Sequence, residues 1–139
     1  MARLLGLDIG EKRTGMALTD ELQLISSPLE TVATPSLLSR IQAVNQESPL
    51  EAIVVGMPNW MTQKQTDSSE FIRSMVDTIR TTFPHLTIHL VDENNTSAEA
   101  SAIQIQGGMK RSKRSQKGSL DAIAASLILQ RHLDSRPYR

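Results

Sequence analysis

The run Glu51-Ala52-Ile53-Val54-Val55-Gly56 has no polar residue after its first position. A strand with one wet face alternates apolar and polar side chains. A short run without that alternation belongs to a strand covered on both faces, which in a chain of this size means a parallel strand between layers of helix. The segments around it fit that demand. Residues 3–9 and 14–19 read as strands around a short glycine-bounded loop, and 27–32 as a third, weaker strand, so the chain opens antiparallel. Thr34-Pro35 sets a hydroxyl cap before a proline at the first helical position and predicts a helix over 35–47. After the strand at 51–56, a polar loop beginning Met57-Pro58-Asn59-Trp60 leads to a helix from Asp67, with Glu70 three residues on as its capping partner, to about Thr82. Phe83-Pro84 stops that helix, and 86–91 reads as a strand. Thr96-Ser97-Ala98-Glu99 is a capping box for a helix ending near Gly107-Gly108, and 109–117 is basic and apolar-poor, as in a mobile loop. A last helix, 119–133, carries Ala122, Ala125, Leu129 and Leu133 at helical spacing. The expected class is α/β, with a mixed central sheet of about five strands, three antiparallel then parallel, flanked by helices.

At 139 residues the chain is expected to form one domain, 1–139, with a core that needs no staples. It has no cysteine, which excludes disulfides and thiolate metal sites. The start is too short in apolar residues for a signal peptide and no segment reaches membrane-spanning length, so a cytoplasmic protein with no membrane partner is expected. Net charge is zero, yet residues 1–106 hold 7 basic and 13 acidic side chains and residues 107–139 hold 8 and 2, which gives −6 and +6. That asymmetry suits a local phosphate-binding patch as well as it suits a solvated face with a basic tail.

Asp8 stands where the run Leu4-Leu5-Gly6-Leu7 gives way to the turn Ile9-Gly10-Glu11-Lys12-Arg13-Thr14-Gly15. A carboxylate taken out of bulk water needs a cation, a metal or several donors. Asp92-Glu93 closes the strand at 86–91 in the same way, and Asp121 opens the last helix. In an open α/β sheet, ligands gather at the carboxyl ends of the parallel strands, where Asp8 and Asp92-Glu93 lie. Gathered together, Asp8, Glu93 and Asp121 would form a carboxylate cage for Mg²⁺ or Mn²⁺. Such ions accept hard oxygen ligands and keep coordination positions open for water and phosphate. Asp92 points the other way if the strand persists and reads as a structural acceptor. Taken singly, each acid has a plainer explanation. Asp8 would cap a turn, Asp92-Glu93 would be a solvated strand end, and Asp121 would sit in a first helical turn that favours any acid. Lys12 and Arg13 in the first hairpin, and Lys110, Arg111, Lys113, Arg114 and Lys117 in the late loop, are the candidate phosphate contacts. Trp60 reads as a loop anchor more readily than as a base-stacking platform. His85, His89 and His132 show no ligand spacing and read as surface or packing residues, and Met57, Met61, Met75 and Met109 as gap fillers or loop residues.

These residues resemble the YqgF family, also called RuvX-type, of Holliday junction resolvase-like and pre-16S rRNA nucleases. The resemblance runs nearly end to end. Its carriers are the stretch from Gly6 to Gly15, Ile53-Val54-Val55-Gly56-Met57-Pro58, Val91-Asp92-Glu93, Thr96 with Ala98 or Glu99, and the stretch from Leu120 to Gln130. It implies an RNase H-like fold and metal-dependent hydrolysis of phosphodiester bonds in structured nucleic acid, most often 5′-end maturation of the small-subunit ribosomal RNA. It also implies an acidic site at Asp8, Glu93 and Asp121. Its partners would be precursor rRNA or branched DNA, with ribosomal particles in the first case; monomer and homodimer stay open. The chain departs from the family pattern at Asn94, where an arginine is usual, at Asn95, where an apolar residue is common, and in loop 59–65, which lacks the customary glycine. A neutral amide cannot clamp phosphate as a guanidinium does, so a nucleic-acid-binding module with weakened catalysis is a second reading. The turn from Asp8 to Gly15 also resembles a phosphate-binding hairpin of actin-like ATPases, but those clamp nucleotide between two domains and this chain has length for one.

Overall fold

The computed structural model describes residues 2–58, 67–92 and 117–136. Among them, five strands form one sheet: β1 (Arg3–Ile9), β2 (Arg13–Thr19), β3 (Ser26–Ala33), β4 (Leu50–Met57) and β5 (Thr87–Asp92), in the order β3-β2-β1-β4-β5. The β1/β2 and β2/β3 pairs are antiparallel and the β1/β4 and β4/β5 pairs parallel, as the opening hairpins and the later unbroken apolar strand require. Helices α1 (Leu37–Glu47), α2 (Asp67–Thr82) and α3 (Lys117–Ser135) complete the described elements. The expected helix at 96–107, the loop up to residue 116, Trp60, Met61 and Met109 lie outside the described residues.

Strand alternation divides the core into two layers. Leu5, Leu7 and Ile9 of β1 join Ile53, Val55 and Met57 of β4 under α1 and α2, which contribute Leu37, Ile41, Val44, Ile72, Val76 and Ile79. On the other face Leu4, Ala17, Ala52 and Val54 pack against Ala125, Ile128, Leu129 and Leu133 of α3. The unbroken apolar run of β4 thus serves both layers. Met57 fills the first layer and Met75 packs against it.

On the second face the helix lies close to the sheet. A Cβ placed on Gly6 would come within 2.8 Å of Leu129 Cβ and 3.0 Å of the Ala125 carbonyl oxygen; on Gly15 it would come within 1.9 Å of the Asp121 carbonyl oxygen. Backbone rests on backbone there, which only glycine permits. Ser26 Oγ on β3 lies 2.8 Å from the Ser126 carbonyl oxygen, tying the other flank of α3 down.

Two expectations need correction. Thr34 does not cap a helix: residues Thr34–Ser36 form a 3-10 turn without a side-chain cap, and α1 begins at Leu37. The Thr34 hydroxyl instead donates to the Gly10 carbonyl oxygen at 2.5 Å, and Thr14 Oγ1, 2.9 Å away, donates to it in turn. A carbonyl partly withdrawn from water gains from such a partner. The last helix begins at Lys117 rather than 119, because a first turn needs no apolar face and the periodicity shows only from Leu120.

At the far end of the sheet the β2/β3 turn is bound tightly. Asp20 accepts the backbone N–H groups of Leu22, Leu24 and Ile25, which hold its carboxyl below the usual range. Gln23, at φ 57, reaches the Ala2 carbonyl oxygen and receives both guanidinium arms of Arg136. The His89 and His132 rings stack with centroids 4.5 Å apart, joining β5 to α3, so these two are packing residues, as read from their spacing. No helix among the described residues is long and apolar enough to cross a membrane.

Replacing Gly15 with alanine is expected to lower stability by about 1–3 kcal/mol or more, because helix and strand must separate to admit the methyl group; urea denaturation measures it. Burial first, then His89 and Arg136, holds the His132 imidazole below its ordinary value of 6.5. The unfolded chain therefore binds that proton more readily than the folded one, and this contribution to stability is full above about pH 6.5 and is lost as pH falls below it. The urea midpoint should drop between pH 7.5 and pH 5.5, and His132→Phe should flatten part of that drop.

Candidate active site

Asp8 owes its place to the alternation of β1. Leu4 and Gly6 face α3, so Asp8 faces it too, partly buried at the carboxyl end of the strand. Its partner across the antiparallel ladder is Gly15. On the parallel side, Leu7 pairs with Val55, so Gly56 comes next beside Asp8. Asp8 therefore has a glycine beside it on each neighbouring strand.

Gly15 also brings in the second acid. The Asp121 backbone rests on Gly15, and directly opposed antiparallel residues lie about 4.5–5.5 Å apart at Cα. Asp8 and Asp121, at opposite ends of the sequence, thus share one face and one end of the sheet. Because α3 starts at Lys117, Asp121 lies beyond its first turn, which contains no acid. The helix dipole does not account for it; the contact with β2 does.

Arg13, two residues before Gly15 on β2, projects from the same face, and its Nε donates to Asp121 Oδ2 at 2.9 Å. The hairpin leading to it is rigid at the backbone: the Gly10 N–H bonds the Arg13 carbonyl oxygen at 2.9 Å and the Thr34 N–H bonds that of Lys12 at 3.0 Å. The side chains of Arg13 and Asp121 are 45% and 25% exposed. An ion pair so placed is worth about 0–1 kcal/mol. It adds little to the stability of the fold.

Glu93, Asn94, Lys110, Arg111, Lys113 and Arg114 lie outside the described residues, as does the side chain of Lys117. Lys12 is exposed in the first hairpin, beside Arg13. Asp92 follows Ile88 and Leu90 on the α1/α2 side of β5, away from Asp8, as strand alternation predicts. Its carbonyl oxygen accepts Arg131 Nη1 at 2.8 Å, so β5 is bound to α3 at the strand's last described residue. Among the described residues no three acidic or imidazole side chains converge. Asp8 and Asp121 do share one face and one end of the sheet, and their hard carboxylate oxygens are the donor type that Mg²⁺ or Mn²⁺ takes.

Two functional features escape a reading by segments. The Arg13–Asp121 pair joins residues with no sequence relation. Gly15 had a signal, a glycine inside a strand pattern, which marks close approach of another backbone.

Known proteins agree with this architecture. The family model described as "RuvX: Holliday junction resolvase" matches residues 2–135. A protein of Phocaeicola vulgatus named "Putative pre-16S rRNA nuclease" is 38% identical over 138 residues, covering 99% of each chain. One of the same name from Christiangramia forsetii is 40% identical over 130 residues, covering 94% of this chain and 96% of that one. In fold, the chain is similar to T. thermophilus RuvC in complex with Holliday junction substrate, with a TM-score of 0.62 at 13% identity over 97% and 98% of the two chains. It is also similar to the fowlpox virus Holliday junction resolvase, with a TM-score of 0.56 at 15% identity over 96% and 99%. The mixed sheet with its antiparallel start is thus the RNase H-like sheet of these resolvases. With matches spanning nearly its whole length, the chain belongs to the RuvX (YqgF) family.

Proposed function

We propose that the protein is a divalent-metal-dependent nuclease that hydrolyses phosphodiester bonds of structured nucleic acid, acting in 5′-end processing of pre-16S rRNA. The observation that carries the reading is the placing of Asp8 and Asp121 on one face, through Gly15, at the carboxyl end of β1. The names of full-length relatives support the RNA role. Asp8, Glu93 and Asp121 would hold the ions, Glu93 on the strength of its match to the acidic site that the family resemblance implies. Bound divalent ions supply a nucleophilic water and neutralise charge at the phosphorus. Asp8 presents its carboxylate from a rigid strand, Asp121 presents a second from α3, and Lys12 and Arg13 hold the phosphate backbone from the hairpin. Lys110, Arg111, Lys113, Arg114 and Lys117 extend that cationic rail on the strength of the charge asymmetry. The protein would work in the cytoplasm on ribosomal precursors. Cleaving a four-way junction symmetrically would require two such sites, hence a homodimer.

With Mg²⁺ present, Asp8→Asn and Asp121→Asn are each expected to cut a pre-16S rRNA fragment at least about 100-fold more slowly, the scale of losing one electrostatic contact to a transition state. Chelating the metal should have the same effect on the unmodified protein. Cleavage mapping beside a four-way DNA junction tests the substrate class. Cutting only the junction would replace the RNA reading with a resolvase, and unchanged cutting by Asp8→Asn would remove the site.

A further inference from the structure

We propose that Arg13 is the resting counter-ion of the acidic site and that it changes partners on loading: it gives up Asp121 to the divalent ion and takes a phosphate oxygen of the nucleic acid. The inference rests on the nuclease reading and assigns a switching role inside it. Asp8 and Asp121 put two carboxylates on one face at one end of the sheet, and like charges gathered there are stabilised by a cation beside them. Arg13 is that cation among the described residues, with Nε 2.9 Å from Asp121 Oδ2.

The surroundings permit the exchange. The backbone of Arg13 is pinned by Gly10, and the strand residue two places on is locked under α3 at Gly15, so movement is confined to the side chain. That side chain is nearly half exposed, free to swing toward solvent, and the single hydrogen bond from Nε leaves the Nη face of the fork for a bidentate acceptor such as phosphate. Asp121, attached to a helix that lies directly on the sheet, stays where it is. The pair therefore behaves as a latch with one moving arm. Metal and substrate reinforce each other: a bound ion frees Arg13 for phosphate, and a phosphate that draws Arg13 away bares Asp121 for the ion.

The test uses the full chain and three measurements: Mg²⁺ binding by calorimetry, binding of a catalytically inert phosphorothioate RNA duplex across a salt series, and cleavage. Arg13→Gln should bind Mg²⁺ about three- to tenfold more tightly without RNA, because the competing cation is gone, while binding the duplex more weakly and with a salt slope reduced by about one. Arg13→Lys, which keeps the charge, should stay near the wild-type Mg²⁺ affinity. In an Asp121→Asn background, Arg13→Gln should no longer change Mg²⁺ affinity. Weaker or unchanged Mg²⁺ binding by Arg13→Gln, in a protein whose wild type binds Mg²⁺ and cuts RNA, overturns the latch and leaves the nuclease reading standing. A wild type that neither binds Mg²⁺ nor cuts overturns both.

Discussion

Direct contact between helix α3 and the sheet is the constraint on which the rest of the molecule depends. Gly6 on β1 and Gly15 on β2 have no side chains, so Ala125, Leu129 and the Asp121 backbone rest on bare strand. The buried layer on that face is correspondingly lean, with Leu4, Ala17, Ala52 and Val54 on the sheet side, whereas the opposite face supports two helices on a thicker bed of leucine, isoleucine and valine. The thick side supplies most of the apolar burial that stabilises the fold. The thin side sets distances.

That division of labour explains how one strand serves both stability and chemistry. Successive residues of β1 point to alternate layers, so Leu5, Leu7 and Ile9 anchor the strand in the larger core while Leu4, Gly6 and Asp8 face the helix. A charge at the eighth position is tolerable because it lies on the lean side, at the strand's end, beside glycines on both neighbours. Moved one residue either way it would enter the apolar layer, where an ionised carboxylate would cost several kcal/mol or be driven to its neutral form (order of magnitude).

Much of this was legible from local pattern. The strands at 3–9 and 51–56 and the helix at 67–82 follow from periodicity and punctuation, and their observed limits differ by a residue or less. The mixed sheet followed from their order. Hydroxyl partners and cross-chain pairs were not legible, since nothing local reveals which remote acceptor outbids a nearby one. Thr34 looked like a cap because a proline follows it, yet the Gly10 carbonyl oxygen claims its proton. The stack of His89 on His132 and the pairing of Arg13 with Asp121 join positions that only the folded topology makes neighbours. Asp8 and Asp121 were singled out by charge in apolar company, a chemical signal that survives ignorance of the topology.

The contact at Gly15 also ties chemistry to cooperativity. Where side chains separate two elements, repacking can shift their spacing by fractions of an ångström, and a site built across them can drift with each core substitution. Here main chain lies on main chain, with no compressible filling between. The separation of the acid-bearing helix from the acid-bearing strand is therefore either correct or lost outright, so the carboxylate spacing should persist unchanged through heating until the whole domain melts.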